Sequence, residues 1–214
     1  MKKTIEPSKN CNICPRLADF RAQNKQKYPD FFNAPVPVWS AKNPKLMILG
    51  MAPGLKGANR TGRPFTGDYA GDLLFQTLDR AALSEGKYQS SADDGLELKD
   101  VMIVNAVRCV PPQNKLTGAE INSCRPFLLD VMKENSNIKV FLALGLIAHN
   151  SFLSSIGARK VSYKFAHGAK HEFGDGRVLF DSYHCSRYNT NTKRLSEKMF
   201  EDVVFAAAKE AIAQ

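Results

Sequence analysis

No apolar run in the sequence approaches the roughly 20 residues that a helix needs to cross a bilayer. No apolar stretch follows the lysines of Met1-Lys2-Lys3-Thr4-Ile5-Glu6-Pro7 either. Neither a membrane span nor a secretory leader is expected, and the chain reads as intracellular and cytoplasmic. Internal repeats, low-complexity tracts and a linker-like middle are all missing, which leaves one domain over residues 1–214 as the expectation. Acidic residues are in deficit: 21 Asp and Glu face 30 Lys and Arg, for a net charge of +9. Such a surplus favours a polyanionic partner, because each phosphate contact releases counterions whatever the sequence. Cysteine is scarce, at five in 214 residues. A chain of this length buries a sizeable core without disulfides. In a reducing compartment five cysteines point to metal ligands, catalytic groups or core residues rather than a disulfide framework.

What is present is the composition of a globular protein, 43% apolar and 24% charged. Residues 1–43 are rich in Asn, Pro and Lys, with Phe20, Tyr28, Phe31, Phe32 and Trp39 scattered among them, and read as an irregular segment wrapped on the core. Four short apolar runs follow, at 46–49, 101–104, 140–144 and 178–180, each of a length that suits a buried parallel strand. Helical spacing fills the intervals: Leu73, Leu74 and Leu78 after Gly71; Ile121, Phe127, Leu128 and Val131 after Thr117; and a short stretch at 148–153. A last helix carries Met199, Phe200, Val203, Val204 and Ala207 on one stripe. Thr117-Gly118-Ala119-Glu120 has the form of a capping box. Alternating strands and helices imply a mostly parallel sheet covered on both faces. The working site of such a sheet lies beyond the carboxyl ends of its strands.

The first strand runs into Gly50-Met51-Ala52-Pro53-Gly54 and then Asn59-Arg60-Thr61-Gly62-Arg63-Pro64-Phe65-Thr66-Gly67-Asp68. Its glycines let the backbone turn sharply and approach a ligand, and a helix beginning after Asp68 offers N–H groups to anions. The plain alternative is a long surface loop. The second strand ends at Asn105, whose amide places a donor beside an acceptor, a match for a pyrimidine edge. By itself it is equally a strand-end residue with no special role. The fourth strand leads to His184-Cys185-Ser186-Arg187-Tyr188-Asn189-Thr190-Asn191-Thr192. A lone His there is more often structural, but Ser, Arg, Asn and Thr beside it suit phosphate oxygens. Cys11 and Cys14 form a C-x-x-C pair, with Cys109 and Cys124 able to supply two more thiolates. Four thiolates suit Zn²⁺ or an iron–sulfur cluster, and spacing alone does not choose between them.

Together the motifs GMAPG through NRTGRPFTGD (50–68), NAVRCVPP (105–112) and HCSRYNTNT (184–192), with C-x2-C followed by C-x14-C, resemble family 5 of the uracil-DNA glycosylase superfamily. The resemblance runs from about residue 11 to 200, with the motifs in the expected order. It implies a three-layer α/β/α fold around a short, mostly parallel sheet. It also implies a structural [4Fe–4S] cluster on Cys11, Cys14, Cys109 and Cys124, tying the N-terminal segment to the core. The implied activity is hydrolysis of the bond between uracil, or another deaminated base, and its sugar in DNA. Phe65 would stack on the extruded base, Asn105 would read its polar edge, and Gly50 would let the base come close. His184 would donate a hydrogen bond to the base oxygen that gains charge, and Asp68 would orient water or stabilise the cationic sugar. Ser186 and Arg187 would grip phosphates, with Tyr188 near the place of a wedge, and Arg60 and Arg63 would add phosphate contacts. DNA is then the partner, and a monomer is expected.

Family 4 carries an acid in GExPG, where this chain has Met51 and Ala52; that absence fits family 5 and moves the acid role toward Asp68. Two departures from family 5 stand out. Cys185 stands where the family has Pro, so a less rigid loop around His184 is expected, and Lys193 stands where the family commonly has Gly. Three other readings remain: a glycosylase preferring hypoxanthine or xanthine, a non-catalytic cluster-bearing DNA-binding module, and a redox protein using the C-x-x-C thiols. The last requires an exposed thiolate of low pKa.

Overall fold

The computed structural model describes residues 6–214. The first five residues, which carry the N-terminal lysines and belong to the expected N-terminal wrap, lie outside the described residues. The chain runs α1 (Pro15–Lys27), β1 (Trp39–Ser40), β2 (Leu46–Gly50), α2 (Ala58–Thr61), α3 (Tyr69–Arg80), β3 (Ser84–Glu85), β4 (Glu97–Leu98) and β5 (Val101–Asn105). It continues through α4 (Gly118–Glu134), β6 (Val140–Leu144), α5 (Leu146–Ser155), β7 (Lys170–Glu172), β8 (Val178–Ser182), α6 (Arg187–Asn191) and α7 (Glu197–Ala213).

The four apolar runs are the four inner strands β2, β5, β6 and β8, and every residue in them is buried. Both faces of these strands are covered, so their sequences are continuous rather than alternating. Leu46 and Ile48 point into one layer, with Leu73, Leu74 and Leu78 of α3 and Phe200 and Val204 of α7. Met47 and Leu49 point the other way, to Leu128 and Val131 of α4 and Ala148 and Phe152 of α5. This is the expected three-layer α/β/α arrangement. Each of the larger of these side chains contributes about 1.5–3 kcal/mol by leaving water.

The sheet order is β1-β5-β2-β6-β8-β7. The inner pairs are parallel, whereas the edge strands β1 and β7 are antiparallel to β5 and β8. Thr117 and Glu120 form the capping box at the start of α4, and Ser186 and Ser196 cap α6 and α7. The chain departs from β2 to β5 on one side and then crosses to β6 on the other, so strand order reverses between β2 and β6. A crevice therefore opens beyond their carboxyl ends.

The N-terminal segment is less irregular than its composition implies, because Pro15–Lys27 is helical. Pro15 suits the first turn of a helix. Only Leu17, Arg21 and Asn24 are buried along α1, so there was no apolar stripe to read. The edge strands β1 and β7 and the β3–β4 pair have two or three residues each and left no periodic signal. Among the described residues no helix is long and apolar enough to cross a membrane.

Candidate active site

A cleft of about 650 Å³ opens at the switch point. Residues following β2 (Met51, Ala52, Pro53), β6 (Gly145, Leu146) and β8 (His184, Ser186) line it with Asn105, the last residue of β5, and with Phe65, Asp68 and Tyr69. Segments some 130 residues apart in the chain thus converge because each follows a parallel strand.

At the carboxyl end of β2, Gly50 leaves room that two cleft-lining side chains, Asn105 and Phe65, fill. A Cβ there would come within 2.2 Å of Asn105 Oδ1 and 2.8 Å of the Phe65 ring. Asn105 is 4% exposed, and its amide makes no hydrogen bond to another described residue, an arrangement that suits a ligand. Phe65 has φ 53°, a left-handed backbone that a bulky residue adopts only when its surroundings impose it. Gly71 supplies part of that support, since a Cβ there would meet the Phe65 carbonyl oxygen at 1.9 Å. The Phe65 ring stacks near the His184 imidazole, with centroids 5.8 Å apart and planes 23° apart.

Asp68 is the N-cap of α3, and its Oδ1 accepts from the Ala70 N–H at 3.2 Å. Its Oδ2 lies over Gly54 and Gly57, where added Cβ atoms would come within 2.8 Å and 2.1 Å. The glycines of this loop therefore make space for a carboxylate as well as for backbone turns. Burial lowers the pKa of His184, partly offset by the negative charge of Asp68, so the imidazole is neutral near pH 7. Asn189 Nδ2 donates to the His184 carbonyl at 2.8 Å and fixes the turn that carries it.

Ser186 lines the cleft while capping α6, and Arg187 is exposed beside it with its guanidinium 5.3 Å from the Tyr69 ring. Tyr188 projects into solvent, 73% exposed. Arg60 is exposed on α2, with its Nε bonded to the Lys56 carbonyl at 2.9 Å. Arg63 departs from the expected phosphate contact. It is buried, pairs with Asp94 through two hydrogen bonds of 2.7 and 2.8 Å, and stacks 4.4 Å from the Trp39 ring. Burial would raise the Asp94 carboxyl, but Arg63 and the Gln89 and Leu96 amides hold it down at about 2. Arg63 is spent on holding the Phe65 loop against the 88–96 segment.

Cys185 does not loosen its loop. It is fully buried, its Sγ donates to the Ala70 carbonyl at 3.3 Å, and burial pushes its thiol well up. Lys193 has φ 58°, which explains why glycine would suit that position.

Cys11, Cys14, Cys109 and Cys124 line one small pocket with Leu17 and Val107. Cys14 is the N-cap of α1, Cys109 follows β5, and Cys124 lies in α4. None of the four is in a disulfide. Burial raises Cys14 and Cys124 and takes Cys109 up to about 11. Within the C-x-x-C pair, the raised Cys14 is opposite to the low-pKa thiolate that redox chemistry requires. Arg21 was not anticipated from the sequence: its Nη1 donates to Cys109 Sγ at 3.1 Å and its Nη2 to the Cys11 carbonyl at 2.6 Å, spanning the two halves of the set. Tyr69, Asn114 and Leu146 also line the cleft unanticipated. Leu146 follows a strand end, so the switch-point rule would have found it; Asn114 carried no signal.

An open, mostly parallel α/β sheet with a cleft of aromatic, amide, imidazole and carboxylate groups at its switch point defines the class. The model of the uracil DNA glycosylase superfamily matches residues 37–208. The chain is 39% identical over 204 residues to a type-5 uracil-DNA glycosylase of Thermus thermophilus, covering 93% of each. It is 37% identical over 206 residues to a type-5 uracil-DNA glycosylase of Pyrobaculum aerophilum, covering 94% of this chain and 89% of the relative. A type-4 uracil-DNA glycosylase of the same organism is 32% identical over 160 residues, covering 74% and 67%. The chain belongs to the uracil-DNA glycosylase superfamily and, within it, to the type-5 family.

Proposed function

We propose that this chain is a uracil-DNA glycosylase of base excision repair, which hydrolyses the bond between uracil and its sugar and leaves an abasic site. The observation that carries this reading is the convergence of Phe65, Asp68, Asn105 and His184 on one cleft at the switch point. A base inside a duplex is out of reach, so the nucleotide is first extruded, at a cost of a few kcal/mol. Phe65 offers its ring to the extruded base, and the Asn105 amide, which lies over Gly50, reads the polar edge. Bond cleavage builds positive charge on the sugar and negative charge on the leaving base. Neutral His184 donates a hydrogen bond to the base oxygen that takes up this charge, an interaction that strengthens toward the transition state. Asp68 has one oxygen anchored on Ala70 and the other free above Gly54 and Gly57, placed to orient water or to balance the cationic sugar. Ser186, Arg187 and Arg60 hold the phosphates, and Tyr188 fills the vacated stack.

The cysteine pocket fits a [4Fe–4S] cluster better than a single zinc ion. Tetrahedral zinc would draw its sulfurs to about 3.8 Å from one another. Among the described residues, the cysteines form no group of three with ligand atoms within 4.8 Å. A cluster held by Cys11, Cys14, Cys109 and Cys124 would supply a covalent cross-link between the N-terminal segment and the core. It takes no part in the cleavage steps above.

One variant tests the assignment of roles in single-turnover cleavage of a uracil oligonucleotide. Asp68→Asn is expected to slow cleavage with DNA affinity and thermal stability kept. An unchanged rate would remove Asp68 from the mechanism.

A further inference from the structure

A second group of metal-ligand side chains lies outside both the cleft and the cysteine pocket. His149 of α5, His171 of β7 and Asp181 of β8 each offer one ligand atom, and these atoms lie within 4.8 Å of one another. The Asp181 side chain is 0% exposed, that of His149 1% and that of His171 12%. Asp181 Oδ1 is 2.8 Å from His149 Nδ1, and Oδ2 is 2.9 Å from His171 Nε2. His149 Nε2 is 3.0 Å from the Tyr163 carbonyl oxygen.

A carbonyl only accepts, so this contact assigns a hydrogen to Nε2 of His149. Both ring nitrogens of His149 thus face acceptors, at 2.8 and 3.0 Å, and a ring carrying a single proton leaves Nδ1 opposed to the Asp181 oxygen. A cation between them removes the conflict and neutralises a buried carboxylate. A ring whose outer N–H bonds a backbone carbonyl while its inner nitrogen points at a carboxylate has the supporting contact that metal-bound histidines usually have. Two imidazoles and one carboxylate form a donor set for zinc and its neighbours, and His171 at the sheet edge leaves a side from which an ion can enter.

We propose that His149, His171 and Asp181 bind one zinc-class divalent ion that fastens α5 and the edge strand β7 to β8. Phe165 packs edge-on against His149 and Tyr163 against His171, with centroids 5.6 and 5.8 Å apart, and these rings shield the ion from water. The site has no part in base cleavage and acts on the stability of the 158–173 segment.

The test uses anaerobically purified full-length protein with its iron content measured, incubated with zinc chloride and desalted. One zinc per chain is expected in addition to iron, together with a rise in Tm. His171→Ala is expected to weaken zinc binding by about 10-fold or more and to abolish the rise in Tm, with iron content and uracil cleavage retained. Asp181→Asn removes both the charge and the opposed acceptors, and its loss of zinc provides a second reading if His171→Ala does not fold. Wild-type protein that retains no zinc would overturn the proposal and mean that a proton fills the gap. Equal zinc in wild type and both variants would overturn it too, by placing the ion elsewhere.

Discussion

At the scale of single residues, burial and charge compete at His184. Desolvation lowers its pKa more than Asp68 raises it, so cleavage is expected to hold its rate as pH falls through 6.5 and to decline only below the depressed value. Stability follows the same shift. Between 6.5 and the lower folded value the unfolded chain binds the extra proton, so stability falls as pH drops through that window and levels off beneath it. His184→Ala is expected to reduce single-turnover cleavage by about 100- to 1000-fold with little loss of DNA affinity; equal losses in both would contradict a leaving-group role. Arg63→Ala removes one partner of a buried ion pair and is expected to destabilise by about 3 kcal/mol in urea unfolding, with the salt slope of DNA binding unchanged. The sequence showed Arg63 only as a basic residue in a glycine-rich loop. Its partner Asp94 lies 31 residues away, and neither charge nor spacing revealed that the guanidinium turns inward. Lys193→Gly is expected to gain about 0.5–1 kcal/mol by relieving a left-handed backbone.

At the scale of elements, the loop from Gly50 to Asp68 sets the shape of the site. Gly50→Ala would drive a Cβ into Asn105 and Phe65, and its cleavage is expected to fall at least as far as that of Asn105→Ala, measured under single turnover. Wild-type rates for Gly50→Ala would show that the base does not sit against Asn105 and Phe65. The four inner strands were legible because full burial on both faces writes an uninterrupted apolar run. Their carboxyl ends then located Asn105 and His184. Helix α1 was hidden for the opposite reason, since it buries an arginine and an asparagine beside a single leucine. Its position is set by contacts distant in sequence, among them Arg16 with Glu120 and Arg21 with Cys109. Cys14→Ser is accordingly expected to lower iron content and expose α1 to proteolysis, with the sheet intact by circular dichroism.

At the scale of the whole molecule, a net charge of +9 supplies affinity for DNA that carries no sequence information. Binding is expected to weaken steeply with added salt, and Arg187→Ala to flatten the slope by about one counterion's worth. The sheet brings four strand ends to one crevice, which is why distant motifs act together. The most direct measurement is single-turnover cleavage of end-labelled oligonucleotides bearing one uracil or one hypoxanthine, single-stranded and opposite each base, with alkali revealing abasic sites. Cleavage at uracil is the predicted result, and the hypoxanthine strands then define the range of the cleft. Protein with a full complement of iron that cleaves no uracil strand would contradict the enzymatic reading and leave a DNA-binding module.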